Sequence, residues 1–139
     1  MGIQIRTMTT ADYELVIKLW STTEGIGLST ADSQSAIERY LTHNLGCSFT
    51  AWDGDRLVGA VLAGHDYRRG YLHHLAVEQE YRGKGIGTDL VEHCLSQLKQ
   101  AGIEKCHLFV FRNNEPARTF WAKVGWQERV ELILMSKTV

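Results

Sequence analysis

The sequence has one proline, three cysteines and no excess of charge of either sign. Lys and Arg number 15 against 16 Asp and Glu, for a formal net charge of -1, so no overall positive field attracts nucleic acid or an anionic membrane. An odd cysteine count without Cys-x-x-Cys spacing argues against a disulfide framework and a zinc knuckle. We therefore expect free thiols at Cys47, Cys94 and Cys106, with the cytoplasm as the default location.

Long apolar runs, repeats and flexible linkers are also missing from the sequence. No window approaches the roughly 18 apolar residues of a membrane span, and no basic start precedes an apolar run at the N-terminus. With 139 residues, 44% of them hydrophobic, the chain has the size and composition of one soluble globular domain. We expect a single domain over residues 1–139 with no nucleic-acid or membrane partner. Whether it is a monomer or a homodimer is left open.

Residue periodicity predicts a mixed α/β chain. A strand at 3–8 is followed by two helices, with capping hydroxyls at Thr9 or Thr10 and at Ser29 or Thr30. Three antiparallel strands come next in series, ending with residues 71–77. A long helix, a strand at 106–111 buried on both faces, a short helix capped by Asn113 or Asn114, and a closing strand at 126–137 complete the chain. The expected fold class is α/β, with a mixed, mostly antiparallel sheet and helices on both faces.

The stretch from Tyr71 to Ala101 is a strand that breaks into a glycine-rich turn and continues as a long helix. The first amides of a helix lack partners inside the helix, and the helix dipole adds partial positive charge at that end. Two cations and three glycines surround this point, so the turn predicts a phosphorylated ligand. The residues are Arg82, Gly83, Lys84, Gly85, Ile86 and Gly87.

Three phosphate-binding patterns compete with a plain tight turn. A dinucleotide fingerprint needs Gly-x-Gly-x-x-Gly, but Thr88 stands three residues after Gly85. A Walker loop needs Gly-x-x-x-x-Gly-Lys-Ser/Thr, which this turn does not supply. The remaining pattern, Arg82-x-x-Gly85-x-Gly87 directly after a strand, resembles the pyrophosphate signature of the GNAT N-acetyltransferase superfamily.

The resemblance covers nearly the whole chain, because the order of predicted elements is also that of the superfamily. A second motif matches the family spacing Asn, Ala, Tyr, Gly, Phe on the last helix, at Asn114, Ala117, Trp121, Gly125 and Trp126. The resemblance implies the GNAT fold and transfer of an acetyl group from acetyl-CoA to a primary amine, on a small molecule or a peptide. Transfer would be direct, in a ternary complex. The alternative is a non-catalytic module that binds or senses acyl-CoA.

Residue by residue, the resemblance assigns a cofactor site. Arg82 would shape the turn, and the main chain of Leu75, Ala76 and Val77 would pair with the pantetheine arm like an added strand. Asn114 would hydrogen-bond this arm near its thiol, within the motif that includes Ala117 and Trp121. The amides that would hold the pyrophosphate belong to Gly83, Lys84, Gly85, Ile86, Gly87 and Thr88.

Amine acetylation needs a proton acceptor for the amine. Strand alternation predicts Tyr71, His73 and Leu75 on one face and His74 on the other. His73 matches a histidine that helps to remove the amine proton in the serotonin N-acetyltransferase branch, and imidazole titrates near neutrality. Tyr71 falls where that branch has another histidine and the histone acetyltransferase branch a glutamate. A core histidine bonded to backbone is the alternative for His73 and the favoured interpretation of His74.

The transfer also needs a donor to the developing oxyanion and an acid for the leaving thiolate. The amides near Leu75 and Ala76 are the candidates for the oxyanion. Trp121 stands where the family commonly has a tyrosine, and an indole N–H does not give up its proton. The thiolate is then protonated by water or another hydroxyl, or it leaves unassisted. The remaining alternative is that the protein is not an efficient amine acetyltransferase. Cys94 is expected on the core face of its helix, which disfavours a covalent cysteine route.

The acceptor amine is expected between the face of Tyr71 and His73 and the loop from Glu24 to Asp32. Glu24 and Asp32 are candidate substrate-binding acids that would attract a cationic amine, although each is more often an ordinary surface acid. Aromatic side chains at Trp20, Tyr40 or Trp52 would line the pocket. No recognised ligand spacing supports a metal site at His65, Asp66, His73 and His74, so no metal is expected.

Overall fold

The structure, a computed structural model, describes residues 2–139 as two compact units, of which the first ends at Phe109 and the second runs from Val110 to Val139. The first unit contains every strand. The helices are α1 (Tyr13–Ser21), α2 (Gln34–His43), α3 (Ile86–Gln100) and, in the second unit, α4 (Glu115–Lys123). The strands are β1 (Gln4–Thr7), β2 (Phe49–Asp53), β3 (Arg56–His65), β4 (Gly70–Val77) and β5 (Cys106–Leu108).

The five strands form one sheet in the order β1-β2-β3-β4-β5. Neighbours from β1 to β4 are antiparallel, as expected of strands joined by short turns, whereas β4 and β5 are parallel and are connected through α3. The predicted mixed, mostly antiparallel sheet is therefore confirmed. The single domain over residues 1–139 stays a prediction.

Helices cover both faces of the sheet in the first unit. An alanine Cβ at Gly59 would lie 3.1 Å from Leu90 of α3, whereas the next residue, Ala60, belongs to the apolar cluster that includes Trp20 of α1 and Leu41 of α2. Successive side chains of a strand alternate between faces, so α3 lies on one face and α1 with α2 on the other. The face of α3 buried against the sheet has the predicted three- and four-residue spacing: Leu90, Val91, Cys94 and Leu98.

Two strand predictions near the C-terminus are wrong. Residues 126–137 form no strand, and β5 ends at Leu108 instead of residue 111. Phe109 and Phe111 are 58% and 59% exposed, so this strand is not buried on both faces, and Val130 is 85% exposed. Alternating apolar residues form a strand only where a neighbouring strand completes the hydrogen bonds and a surface covers the apolar face. No helix in the described part of the chain is long and apolar enough to cross a membrane.

Gly64 in β3 tests the packing of α2 on the sheet. A Cβ at this position would lie 2.6 Å from the Tyr40 hydroxyl oxygen and close to Asn44, whose Oδ1 accepts a hydrogen bond from the His65 amide. We predict that Gly64→Ala lowers the free energy of unfolding by about 1–3 kcal/mol, the usual cost of overpacking. Urea denaturation measures it, with Gly2→Ala as the control because no atom lies within 4 Å of a Cβ there. Equal stability of the two variants would contradict this packing.

Candidate active site

Strand β4 contains a bulge at its centre. Leu62 of β3 pairs with His73 and Ala60 pairs with Ala76, so that Val61 alone lies opposite the two residues His74 and Leu75. His74 has φ 56°, a left-handed conformation that few non-glycine residues adopt. The extra residue interrupts the alternation of side chains along the strand.

His74 lies on the same face as His73, and the prediction of opposite faces is wrong. The His73 ring is 6.1 Å from the ring of Tyr40 on α2, and the His74 ring is 5.0 Å from that of Trp20 on α1. Strict alternation fails here because the bulge adds one residue to β4 without adding one to β3. Two consecutive imidazoles, with ring centroids 6.3 Å apart, therefore face the layer formed by α1 and α2.

His73 is half-buried among aromatic rings. Tyr71 stacks on it at a centroid distance of 6.5 Å, and so does Phe109, also at 6.5 Å. Burial first, and then the charge of the neighbouring His74, lower the pKa of His73 below its ordinary value of 6.5, although the Asp32 carboxylate opposes this. A lowered pKa favours the neutral imidazole at pH 7, which is the form that accepts a proton.

His74 binds a carboxylate and not the backbone. Its Nε2 is 2.9 Å from Oδ1 of Asp32, and the two side chains are 19% and 8% exposed. The interpretation of His74 as a core histidine bonded to backbone is therefore wrong. Asp32 is buried too, so it is not an exposed surface acid, and its use as a substrate-binding residue stays a prediction. Glu24 is exposed in the segment between α1 and α2.

The contact between Asp32 and His74 is the part of the site that sequence reasoning missed. The spacing Ser29-x-x-Asp32 is a capping pattern, and Asp32 Oδ2 does accept from the Ser29 amide at 3.0 Å. That pattern predicts a folded-back carboxylate. It contains no information about a histidine 42 residues away.

Of the three aromatic residues predicted to line the pocket, two lie beside the histidines and one does not. Trp20 and Tyr40 contact the two histidines, whereas Trp52 donates its indole N–H to Thr50 at 2.8 Å inside the core. Phe109, which the sequence did not single out, stacks on both Tyr71 and His73.

Beyond Leu72, β4 has no ladder partner in β5. The parallel ladder joins Gly70, Tyr71 and Leu72 to Cys106, His107 and Leu108 and ends there. Within the described residues of the first unit, 2–109, the main chain from His73 to Val77 therefore has no strand paired with it on that side. An extended, amide-bearing ligand can pair with such an edge.

The glycine turn follows β4 directly. Arg82 donates from Nε to the carbonyl of Val77 at 2.8 Å, which ties the start of the turn to the end of the strand. Gly83 and Gly85 have φ 76° and 87°, and Gly85 is the N-cap of α3. Space is not the constraint, because no atom lies within 4 Å of a Cβ at either glycine. The positive φ angles are what favour glycine here.

The N-terminus of α3 presents free amides at this turn. The first bond within the helix runs from the Asp89 amide to the Gly85 carbonyl at 3.0 Å, so the amides of Ile86, Gly87 and Thr88 have no acceptor inside the helix. The side chain of Lys84 is exposed beside them, with Nζ 5.4 Å from the ring centroid of Tyr81. These groups suit a phosphate through amide donation, the helix dipole and a nearby cation.

The second predicted motif lies in the second unit. Asn114 caps α4 as expected, since its Oδ1 accepts from the Ala117 amide at 3.2 Å. Trp121 packs edge-on against Phe120 at 5.0 Å and Trp126 at 5.1 Å. The roles of Asn114, Ala117 and Trp121 toward a cofactor stay predictions.

Thiol and metal chemistry find little support in residues 2–139. Cys94 is buried, and burial raises the pKa of its thiol far above the ordinary value, so a nucleophilic thiolate is disfavoured there. Burial also raises the pKa of Cys106, to about 11. No group of three or more His, Cys, Asp or Glu comes together as a metal site in this part of the chain.

Known proteins resemble this chain over most of its length. An acetyltransferase of Pectobacterium atrosepticum is 30% identical over 135 residues, which cover 97% of this chain and 94% of the relative. N-alpha-acetyltransferase 30 of Schizosaccharomyces pombe is 36% identical over 96 residues, 65% of this chain and 64% of that protein. The structure of AAC(6')-Iy with the bisubstrate analogue CoA-S-monomethyl-acetylneamine superposes with a TM-score of 0.81, at 18% identity and with full coverage of both chains.

The sequence model of the Acetyltransferase (GNAT) family matches residues 13–126. That span includes the bulged strand, the glycine turn and the helix with the second motif. The resemblance inferred from the sequence is therefore confirmed, and the chain belongs to the GNAT acetyltransferase family.

Proposed function

We propose that this protein is an N-acetyltransferase that moves the acetyl group of acetyl-CoA directly to a primary amine in a ternary complex. The observation that carries the proposal is the half-buried His73, surrounded by the rings of Tyr40, Tyr71 and Phe109, on the strand that leads into the glycine turn. This arrangement supports a proton acceptor and a phosphate-binding helix end on one strand-turn-helix. The family supplies the acetyl chemistry.

The cofactor is proposed to lie along the open edge of β4 and across the N-terminus of α3. Amides from Gly83 to Thr88 would hold the pyrophosphate, and Arg82 would keep the turn against β4. The free edge of Leu75, Ala76 and Val77 supports pairing with the pantetheine arm, because these residues have no partner on β5. For Asn114, Ala117 and Trp121, a role toward the cofactor is proposed on the match to the family motif alone.

In the proposed reaction the amine nitrogen attacks the thioester carbonyl carbon, a C–N bond forms and the C–S bond breaks. His73 accepts the amine proton, directly or through water, while the amides near Leu75 and Ala76 donate to the carbonyl oxygen as it becomes negative. The thiolate takes a proton from water or from a hydroxyl. Tyr71 is the candidate hydroxyl, because its ring stacks on His73.

The acceptor amine is proposed to enter between β4 and the segment that joins α1 to α2. Glu24 is exposed there and is the acid that we propose attracts a cationic amine, with a secondary role for Asp32, whose charge is already engaged by His74. The similar proteins include one named an aminoglycoside acetyltransferase, at 16% identity, and one named an N-alpha-acetyltransferase, at 36%, so both acceptor classes are kept in the proposal. A cytoplasmic location is proposed because the three cysteines are free thiols.

The second candidate function is a module that binds acyl-CoA without transferring the acetyl group. Trp121 favours it, because the indole lies where the family commonly has an acidic hydroxyl. We expect amine-dependent release of CoA from acetyl-CoA with at least one of four acceptor groups: aminoglycosides, polyamines, amino acids and peptide N-termini. A thiol-release assay measures it. Tight binding of acetyl-CoA with no turnover on any acceptor would favour the module instead.

Gly85→Asp tests the phosphate site. A carboxylate about 5 Å from the phosphates costs enough Coulomb energy to weaken acetyl-CoA binding at least about 100-fold. Isothermal titration calorimetry measures the dissociation constant. Gly102→Asp is the matched control, since Gly102 ends the same helix with φ 86° and has no atom within 4 Å of a Cβ.

The helix dipole makes this control stringent. A negative charge stabilises the N-terminus of α3 and destabilises its C-terminus, so Gly102→Asp should cost more stability than Gly85→Asp while leaving cofactor binding intact. Wild-type affinity in Gly85→Asp, or equal loss in both variants, would contradict the proposed site.

His73→Phe tests the proton acceptor. We predict a fall in kcat of about 100-fold at pH 7, within the usual contribution of a general base, with unchanged affinity for acetyl-CoA. Because the pKa of His73 lies below 6.5, wild-type kcat/KM should fall only as the pH drops through that lowered value. His43→Phe, at an exposed position in the last turn of α2, is the control.

The pH-rate profile decides the assignment of His73. The acidic limb should disappear in His73→Phe and persist in His43→Phe. A variant His73→Phe that retains the wild-type limb would show that another group accepts the proton.

A further inference from the structure

Asp32 is held by three different parts of the first unit. Its Oδ2 accepts from the Ser29 amide at 3.0 Å, its Oδ1 binds His74 Nε2 at 2.9 Å, and its carbonyl accepts from the Tyr13 hydroxyl at 2.7 Å. The 3-10 turn Thr30–Asp32, β4 and α1 therefore meet at one residue. Only one of these bonds links the segment between α1 and α2 to the strand of the proposed base.

His74 is placed for this bond at a conformational cost. Its left-handed φ of 56° is disfavoured for a side chain with a Cβ, by roughly 1 kcal/mol or more. The bulge turns its ring toward Trp20 and Asp32, although an alternating strand would point it to the other face. The contact with Asp32 and the packing on Trp20 stabilise an arrangement that the backbone alone disfavours.

The two imidazoles are close enough for the charge of one to affect the other. Their centroids are 6.3 Å apart on one face, so a charge on one opposes a charge on the other. His74 contacts a carboxylate, whereas the neighbours of His73 are the uncharged rings of Tyr40, Tyr71 and Phe109. Burial keeps the Tyr40 phenol neutral by raising its pKa. Asp32 is thus a carboxylate that acts on both rings, and it contacts His74 directly.

We propose that Asp32 and His74 form a positioning pair, in which the carboxylate binds His74 and leaves His73 without an ionic partner, free to accept the amine proton, and which fastens the acceptor-side segment 22–33 to β4. The proposal rests on the proposed amine acetylation for its consequence in catalysis. The effect of His74 on His73 and the contact between Asp32 and His74, called the tether below, can both be measured without turnover.

Two substitutions of His74 separate the effect of its imidazole on His73 from the tether to Asp32. His74→Gln keeps a side-chain N–H of similar reach that can donate to Asp32 Oδ1, but it cannot take a positive charge. His74→Asn also stays neutral and tolerates the left-handed φ, yet it is one methylene shorter and does not reach Asp32. Both variants remove the charge, and only His74→Asn removes the tether.

The effect on the pKa of His73 is measured by NMR titration of the His73 ring and by the pH-rate profile. In both variants His73 loses the imidazole of His74, whose charge lowers the pKa of His73, and keeps Asp32, which raises it, so the pKa of His73 rises and the acidic limb of kcat moves to higher pH. Turnover of His74→Gln should approach that of the wild type above pH 8. If the pKa of His73 is the same in both variants as in the wild type, the proposed effect of His74 on His73 is wrong.

The tether is measured by the KM for the amine and by hydrogen exchange of the amides at 29–33. His74→Asn should raise the KM by roughly tenfold to 100-fold and speed exchange, since small displacements near a reacting group are costly, while acetyl-CoA affinity stays unchanged. His74→Gln should resemble the wild type. Equal KM values and equal exchange in the two variants would overturn the tether.

These measurements also distinguish a failure of the Asp32–His74 pair from a failure of the proposed acetyltransferase function. A wild-type protein without amine-dependent turnover, but with the expected shift of His73 and the expected exchange pattern, would overturn the proposed function and leave the pair intact. An active enzyme with an unshifted His73 would do the reverse.

Discussion

In β4, His74 and Leu75 share the single partner Val61, and this extra residue brings two consecutive imidazoles to the same face of the sheet. The rest of the candidate site depends on it. His74 binds Asp32 in the turn before α2, and His73 remains among the rings of Tyr40, Tyr71 and Phe109. A regular strand would place these rings on opposite faces, and only one of them would face α1 and α2.

The same strand also leads into the proposed cofactor site. Beyond Leu72 it has no partner in β5, and at its end Arg82 holds the glycine turn to the Val77 carbonyl. The amides that open α3 therefore follow the proposed base along one continuous strand-turn-helix segment. Proximity of this kind removes most of the entropic cost of assembling a site, because the chain itself sets the separation between the phosphate end and the reacting end of a ligand.

The tryptophan at position 121 gives the proposed chemistry an unusual balance. Its indole packs between Phe120 and Trp126 in the second unit and has no proton to give to a thiolate. Acid catalysis then falls to water or to a hydroxyl such as that of Tyr71. A site organised in this way relies on positioning and on the neutral His73 more than on a paired acid and base.

The sequence by itself determined the family, the sheet type, the glycine turn and the cap at Asn114, because each depends on local spacing or on the backbone angles of particular residues. Tertiary structure decided the remainder. The bulge depends on how β3 and β4 pair, the contact of Asp32 with His74 joins residues 42 apart, and residues 126–137 lack the neighbouring strand that their alternation would need. None of these is encoded in a local pattern, since each is settled by which other segment lies alongside.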